Sequence, residues 1–321
     1  MCKIKPADIT QASVSYTLQT EDEFVKNDWF MNQTFGFHGE LQLDDLTFLA
    51  SFFGEESKKF LPVAGVATKL NSNSTLIAKV YSFLPLPLQT GLPAHINGHF
   101  AIHSSRRSIW EHTSFGQWNR LLLNYIMAPS YSHLLRDLGQ LIKTTAELKQ
   151  WLKVLPDISS AKDEYFRNLC AKLYLYIQTT DCPMIPTSRE SNTVTFHPPS
   201  VCLFVTANRN EVVEKLLVTL KQNLCTQPDI GLKFKRAGVD NLVTLTPQVL
   251  LERLKTIELR LPCPIKNTAF QCPADMRTIL EFILSGDIVQ DLNLLVGSPL
   301  CLSLDGVLRR FLVSQVSSQG T

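Results

Sequence analysis

The chain has 321 residues, which is enough for about two domains. Its 45% apolar and 19% charged residues are typical of a folded protein with a core and argue against intrinsic disorder. The formal net charge is only +2 and the basic runs are short, so no nucleic-acid partner is expected.

The first part of the chain is predicted to be rich in strands. Residues 1–35 read as strand-like pieces, and residues 40–53 begin with alternation but end apolar, so their type stays open. Two apolar, β-branched stretches at 61–68 and 76–84 flank a polar loop at 71–74. This pattern predicts a β-hairpin.

An extended segment and a further strand follow. Three prolines and a glycine exclude a helix over residues 85–93 and force an extended or turning path. Residues 95–102 resume as a strand, interrupted by a tight turn or bulge at Asn97 and Gly98.

Helices are predicted next along the chain. Ser104 or Ser105 caps a short helix that runs through Trp110. Residues 118–127 form an amphipathic helix that stops before Pro129, because the residue before a proline avoids helical geometry. Similar patterns predict helices at 131–142, 146–155 and 161–177.

The C-terminal half alternates strands and helices. A buried strand at 201–206 leads into a helix at 211–224, with Asn208 as N-cap and Glu211 as its capping partner. The other predicted elements are a strand beginning near Thr193 within the loop 181–200, a helix opened by Thr246 and Pro247, a helix at 274–284, and a hairpin around Asp305 and Gly306.

These elements predict an α+β (mixed α/β) fold in two parts. The change from strands and prolines to helices lies near Pro129 or slightly later, so we expect a β-rich domain over 1–135. A helix-rich α/β domain is expected over 136–321.

The cysteines and the apolar segments indicate a cytoplasmic protein. None of the eight cysteines forms a CxxC pair, so neither a zinc ribbon nor a redox motif is indicated, and free buried thiols are expected. No apolar signal core opens the chain, and no segment reaches 18 uninterrupted apolar residues, so membrane insertion is not expected.

A long, irregular motif at residues 80–131 resembles the sacsin repeat. It continues from a Leu-Pro-Leu-Pro segment into Ser-Arg-Arg, a Trp-Asn-x-Leu-Leu-Leu helix and Ala-Pro-Ser-Tyr. Later stretches around Thr246, Leu261 and Gly297 are similar to later parts of the same repeat. The residues that carry the motif are Leu84, Pro85, Leu86, Pro87, Thr90, Gly91, Leu92, Pro93, Asn97, Gly98, His99, Phe100, Ser105, Trp110, Trp118 and Asn119.

The resemblance implies a chaperone-related protein. Sacsin repeats resemble the ninety-kilodalton heat-shock chaperones and begin with an ATP-binding domain of the GHKL type. This sequence has no Asp-x-Gly-x-Gly motif and no glycine-rich lid, so ATP is expected only with an upstream GHKL domain. Residues 1–135 would then be the transducer (middle) domain and 136–321 the C-terminal part of the repeat, with Met1 lying after the ATPase domain.

The resemblance also implies a role for an arginine pair. Transducer domains supply a basic residue to the terminal phosphate of the nucleotide, and Arg106 or Arg107 would do so here. The alternative is a structural or solvent-facing pair.

Other candidate sites are weak in the sequence. His95, His99 and His103 share a face on a strand, but no further ligand lies nearby, so a metal site is not expected. No nucleophile elbow is present, so no enzyme activity is expected from this chain alone. The apolar residues Leu86, Leu88, Leu92, Trp110 and Trp118 belong either to the core or to a partner surface.

The leading functional hypothesis is therefore a non-catalytic chaperone fragment. It would bind client protein or a co-chaperone and relay nucleotide state from an ATPase domain. The resemblance also suggests the seventy-kilodalton heat-shock chaperone as a partner, because sacsins carry a J-domain, whose His-Pro-Asp motif is absent here. The alternative is a passive protein-interaction scaffold.

Overall fold

The computed structural model describes residues 11–22, 25–55, 60–70, 76–188, 193–270, 272–286 and 292–312. It has the predicted α+β fold. The chain forms two compact units. The first consists of Met1–Pro186, Asn192–Ser200 and Leu232–Asn241, and the second of Thr187–Ser191, Val201–Gly231 and Leu242–Thr321. The division into a transducer-like domain and a C-terminal part of a repeat at residue 135 stays a prediction.

The first unit is built on a six-stranded sheet. Its strands, in chain order, are β1 (Ala12–Asp22), β2 (Val25–Phe35), β3 (Val63–Lys69), β4 (Lys79–Ser82), β5 (Leu84–Gln89) and β6 (His95–Gly98). Its helices are α1 (Leu43–Glu55), α2 (Thr113–Leu122), α3 (Ala128–Leu141), α4 (Thr145–Val154) and α5 (Glu164–Thr179). The predicted helices at 131–142, 146–155 and 161–177 are confirmed, and the undecided segment 40–53 contributes a helix.

The strand order is β1-β2-β3-β6-β4-β5, so the predicted hairpin of residues 61–68 and 76–84 is wrong. Strand β6 lies between β3 and β4. Its Ile96, which is fully buried, pairs with Val66 on one side and Val80 on the other. In the central position β6 forms hydrogen bonds with two neighbouring strands. This stabilises the sheet more than direct pairing of β3 with β4, which are adjacent along the chain, would do. The predicted polar loop at 71–74 lies outside the described residues.

The predicted turn at Asn97 and Gly98 is also wrong, because both residues belong to β6. Asn97 pairs with Gly65 and Gly98 pairs with Ala64. A Cβ at Gly98 would lie 3.0 Å from Leu122 and 3.1 Å from the Phe100 ring. The glycine therefore permits close packing of a helix on the strand and does not serve a turn.

The helix predicted to stop before Pro129 continues through it. A π-helical turn at Leu123–Met127 joins α2 to α3, with the Ala128 N–H donating to the Leu123 carbonyl. Proline has no N–H, so it leaves the Tyr125 carbonyl without its normal partner four residues on. That carbonyl accepts the backbone N–H of His38 at 2.8 Å instead.

The predicted short helix between Ser104 and Trp110 does not form. The chain makes a tight turn in which the Arg106 N–H donates to the His103 carbonyl, and Arg106 has a φ of 55°. Ile102 bridges to Ile109 across this turn. The backbone pairing of Ile102 with Ile109 requires a tight turn between them. A helix over the same residues would keep the two isoleucines apart.

The covered face of the sheet packs against α3 and the π turn. Alternate residues of the strands point to this side, including Phe30, Val66, Val80 and Ile96. Further along the core, the fully buried Trp118 lies within 5.4–6.2 Å of the ring centres of Phe37, Phe52, Phe53 and Phe60. Packing of aromatic rings therefore makes up much of this core.

The second unit contains β9 (Leu203–Phe204), α6 (Glu211–Thr219), β10 (Leu224–Cys225), α8 (Pro247–Thr256), β11 (Cys263–Pro264), α9 (Pro273–Leu284), β12 (Cys301–Leu302) and β13 (Val307–Arg309). Strand β8 (Val194–His197) belongs to the first unit, and strand β7 (Ile185–Ser188) and helix α7 (Pro228–Arg236) each contain residues of both units. Parallel β9 and β10 flank α6, and apolar residues of α6, α8 and α9 share one buried cluster. The predicted strand–helix pattern is thus confirmed.

The capping predictions in this unit have mixed outcomes. Thr246 caps α8 by accepting the Val249 N–H, and Pro247 follows it, as predicted. Asn210, and not Asn208, caps α6 by accepting the Val213 N–H. Asparagine occurs at both positions, so residue type alone did not decide between them. The C-terminal hairpin is confirmed, with Leu302 opposite Leu308.

Three general features concern thiols, metals and membranes. Cys170, Cys182, Cys202 and Cys225 are free and buried, and burial raises the pKa of Cys170 and Cys225 to about 12. Within the described ranges, no group of three or more His, Cys, Asp or Glu residues is placed to hold a metal ion. No helix there combines the length and apolar character needed to traverse a bilayer.

Candidate functional site

The helical end of the sacsin-like motif fixes the fold of the first unit. The Trp118 indole donates to the His99 carbonyl at 2.9 Å. The buried Asn119 side chain accepts the Ala101 N–H and donates to the Ala101 and Trp110 carbonyls. These bonds hold the segment after β6 against α2, because each buried backbone group there has a partner.

The Thr90–Leu92 part of the motif has a similar structural role. The Thr90 hydroxyl accepts the Leu92 N–H, and the Thr90 carbonyl accepts the Lys162 N–H. Gly91 has a φ of 75°, and a Cβ there would lie 2.1 Å from the Ser160 carbonyl oxygen. Only glycine therefore fits this approach.

The other motif residues divide between core and surface. Leu86, Leu92, Phe100 and Trp118 are buried, so the core interpretation holds for these residues. Those at the surface or partly exposed are Leu84, Pro85, Pro87, Pro93, Asn97, His99, Ser105 and Trp110.

The link between β4 and β5 is a strained, exposed turn of Ser82, Phe83 and Leu84, called the Phe83 turn below. Phe83 alone joins the paired residues Ser82 and Leu84, with a φ of 60° and 76% of its side chain exposed. A bulky residue with positive φ is unusual, and such strain is frequent at functional positions. The Arg106 guanidinium braces this turn by donating to the Ser82 carbonyl at 3.2 Å.

The two candidate phosphate-sensing residues lie in different environments. Arg106 is partly buried and uses its guanidinium on the Phe83 turn. Arg107 is exposed and forms no hydrogen bond or ion pair with a described residue. Of these two arginines, Arg107 therefore offers the guanidinium that has no partner among the described residues.

The three histidines spaced by four have separate contacts. His95 Nδ1 accepts the Lys79 N–H and His99 Nδ1 accepts the Leu61 N–H. His103 stacks on Trp110 with ring centres 4.0 Å apart. Each ring thus has a local structural role.

The uncovered side of the six-stranded sheet carries a second exposed surface. We call it the open sheet face and define it by Val14, Tyr16, Leu18, Trp29, Met31, Phe35, Tyr81 and His95. The strand register places them together, since Tyr16 opposes Met31 and Leu18 opposes Trp29. Val14 is 51% exposed and Leu18 46%. All of them except Val14 and Phe35 line an open groove of about 520 Å³, together with residues such as Gln33, Ala67 and Asn97.

The centre of the open sheet face is aromatic, with Lys69 opposite Trp29 on the neighbouring strand. The His95 ring stacks on Trp29 at 5.4 Å and meets the edge of Tyr81 at 5.3 Å. Burial lowers the pKa of His95, and the positive charge of Lys79 lowers it further, so the ring is neutral at pH 7. The surface is therefore apolar and aromatic.

The covered side of the same strands holds a polar cluster. Buried Asn32 donates to the Ser13 and Ser15 hydroxyls at 2.9 Å and accepts from Ser130 at 2.7 Å. Ser15 donates to Asp137 on α3 at 2.6 Å.

A histidine on α3 contacts the same cluster. His133 Nδ1 lies 2.9 Å from the Ser13 hydroxyl. Burial, together with the charges of Arg136 and the neighbouring His38, lowers the pKa of His133 to about 4, although Asp137 acts in the opposite direction. The histidine is therefore neutral at physiological pH.

The sequence analysis did not identify the open sheet face. The alternation of Val14, Tyr16 and Leu18 was a usable signal, because a period of two puts them on one side of a strand. This alternation does not show which side of the sheet the helices cover.

Comparison with known proteins finds a similarity to human Sacsin (Homo sapiens). The two are 33% identical over 136 residues, which is 41% of this chain and 3% of Sacsin. The chain thus matches a small part of the length of this relative, and the sacsin-like relation is confirmed at that level. No protein-family model matches the chain, and no solved structure matches it.

Proposed function

We propose that this sacsin-like chain is a non-catalytic chaperone module that binds non-native polypeptide through the open sheet face. The observation that carries the proposal is the inverted character of β2. Its buried side holds the polar residues Asn32 and Thr34 beside Phe30. Its uncovered side holds the partly exposed Trp29 and Met31 and the exposed Phe35, together with Gln33. A contiguous exposed apolar patch is typical of an interaction site.

The chemistry of the open sheet face suits many different partners. Trp29 and Tyr16 supply rigid aromatic area, and Met31 supplies a flexible, polarisable side chain that adapts to irregular shapes. His95 adds no charge to the aromatic centre because it is neutral at pH 7, although Lys69 lies opposite Trp29 on the neighbouring strand. Exposed apolar segments of unfolded proteins fit such a surface without a sequence requirement.

An aggregation assay tests this function directly. A heat-denatured model client is followed by light scattering with the chain added at equimolar amount and without nucleotide. We expect suppression by the wild type and at least a severalfold weaker effect of the double variant Met31→Ser/Phe35→Ser. The control variant is Leu43→Ser/Leu175→Ser, which changes two exposed leucines on helices.

The outcomes separate the two functional hypotheses. Loss of suppression in the sheet variant but not in the control supports client binding at the open sheet face. Absence of suppression by the folded wild type overturns autonomous chaperoning and favours a passive interaction scaffold. Equal suppression by all variants assigns the activity to another surface.

A relay of nucleotide state is the second part of the proposal. Of the two arginines, Arg107 is the better candidate for a nucleotide phosphate, since Arg106 already holds the Phe83 turn. In a protein that combines this chain with a GHKL domain, Arg107→Ala is expected to lower ATP turnover without changing stability. Unchanged turnover would remove the phosphate-sensing role.

Partners and location follow from the same resemblance. Client proteins are the proposed ligands, with the seventy-kilodalton heat-shock chaperone as a possible co-chaperone in the cytoplasm. A pull-down of that chaperone by the purified chain, with and without nucleotide, tests the second partner.

A further inference from the structure

The two edges of the six-stranded sheet differ in what they offer to another chain. Strand β5 ends the sheet on one side and contains Pro85 and Pro87. Proline lacks an N–H, and its presence on an edge strand discourages further pairing. This edge is therefore closed to an added strand.

Strand β1 ends the sheet on the other side and has no such protection. Its residues 12–20 contain no proline and no charged residue. No described residue outside β1 and β2 forms a backbone hydrogen bond with them. Half of the N–H and C=O groups of an edge strand point away from its neighbour, so a row of donors and acceptors is left open.

The side chains of β1 are arranged for self-pairing. Val14, Tyr16 and Leu18 point to the open sheet face, and Ser13 and Ser15 point to α3, where Asn32 and Asp137 satisfy their hydroxyls. The hydroxyl groups of Ser13 and Ser15 are therefore already hydrogen-bonded when a second strand approaches. That strand meets an apolar row on one side of the pleat.

We propose that β1 is an interface between two copies of this chain, which pair antiparallel about Tyr16. Residue 16 is the midpoint of the uncharged run 12–20, and only this register pairs the whole run with itself. It sets Val14 of one copy opposite Leu18 of the other and brings the two Tyr16 rings together. Apolar and aromatic cross-strand pairs stabilise such a ladder.

The pairing has the symmetry of an isologous dimer. Each copy presents the same strand, so the contact closes after two copies and does not propagate. The two sheets become one continuous sheet, and their open sheet faces join on the same side. The dimer thus enlarges the proposed client surface but does not depend on its function.

The first test is the mass of the whole chain in solution by sedimentation velocity. We expect a concentration-dependent dimer for the wild type. The variants Tyr16→Lys and Tyr16→Glu are each expected to dimerise at least tenfold more weakly, because like charges meet at the centre of the ladder. The control Leu175→Lys adds the same charge on α5 and is expected to dimerise as the wild type does.

A mixture of the two variants gives the decisive result. Tyr16→Lys and Tyr16→Glu together are expected to form a heterodimer, because opposite charges then face each other at residue 16. A change that only unfolded the strand would not be rescued by mixing.

Three outcomes overturn the proposal. The first is a wild type that stays monomeric up to about 100 µM, a concentration at which weak dimers associate. The second is full dimerisation of the single variants. The third is a wild type that stays monomeric yet binds an unrelated strand-forming peptide, since β1 would then accept a foreign strand and not a second copy.

Discussion

The two faces of the six-stranded sheet consist of alternate residues of the same strands. The covered face is apolar around Val66, Val80 and Ile96, but it includes buried polar residues on β2. The covered face of β2 presents Asn32 and Thr34 to α3, and the uncovered face presents Trp29, Met31 and Phe35. Apolar character and burial are thus separate properties in this sheet. A buried polar cluster with full hydrogen bonding fixes how α3 is seated, while the apolar side chains remain available for contacts with other molecules.

The largest expected effect comes from comparing two single variants in which a tryptophan is replaced by alanine. Trp118 is fully buried among aromatic rings on the covered side, so Trp118→Ala is expected to lower the free energy of unfolding by about 3–5 kcal/mol. Trp29→Ala on the open sheet face is expected to cost about 1–2 kcal/mol, mainly through the lost stack on His95. Urea unfolding measures both, and equal losses would contradict the contrast between faces.

Neighbouring residues on opposite faces give a sharper test. Asn32→Ala removes the partner of the Ser13, Ser15 and Ser130 hydroxyls, so a loss of about 2–3 kcal/mol in unfolding free energy is expected. Gln33→Ala, one residue along on the open side, is expected to stay within about 0.5 kcal/mol of the wild type. If both variants unfold alike, the polar cluster does not stabilise the covered face.

Acid provides a test of the covered face alone. The pKa of His133 is about 4 in the folded protein, below the ordinary value of 6.5. As the pH falls from 6.5 towards 4, the unfolded chain takes up the proton and the folded protein does not, so stability is lost in this window.

The size of this loss is set by the exposure of the ring. A loss of about 1–2 kcal/mol is expected, because partial exposure reduces the full linkage effect. His133→Gln removes this part of the slope in urea unfolding between pH 7 and 4.5. An unchanged slope in the variant would show that other groups, such as His38 and His95, dominate acid sensitivity.

The smallest effect is expected on the open sheet face. Leu18→Ser should lower the unfolding free energy by about 1 kcal/mol or less, because the side chain is already 46% exposed. The same variant is expected to bind less of the fluorescent apolar probe ANS. A large stability loss would mean that this face belongs to the core of the first unit.

Local sequence patterns predicted much of the fold. The helices of α3, α4 and α5, the Thr246 cap and the Asp305-Gly306 hairpin follow from periodicity and residue preference, which act within a few residues. The predicted strand pairing was wrong, because β6 lies between β3 and β4 and its pairing with β3 joins residues far apart in the sequence, such as Ala64 and Gly98. The helix stop at Pro129 failed because His38, about 90 positions away, satisfies the freed carbonyl.

The candidate site was harder to predict than the fold. By residue type, Trp29 and Met31 would ordinarily be more buried than Asn32, whereas here Asn32 is buried and Trp29 and Met31 are partly exposed. The reason is that α3 brings Ser130 to the sheet, and this distant residue together with Ser13 and Ser15 on β1 makes burial of Asn32 favourable. Arg106 and Arg107 were identified from the motif, and their different surroundings became visible only in the folded chain.

The hydrogen bond from His38 to Tyr125 has a consequence for engineering of this protein. This bond holds the segment after β2 against the proline-containing helix. A reporter tag inserted between the end of β2 and His38 would therefore disturb it. Gly39, next in the chain, is exposed and has open space around its Cα. A fluorescent label or affinity tag placed just after Gly39 should therefore be tolerated, and it would leave both faces of the sheet free for measurement.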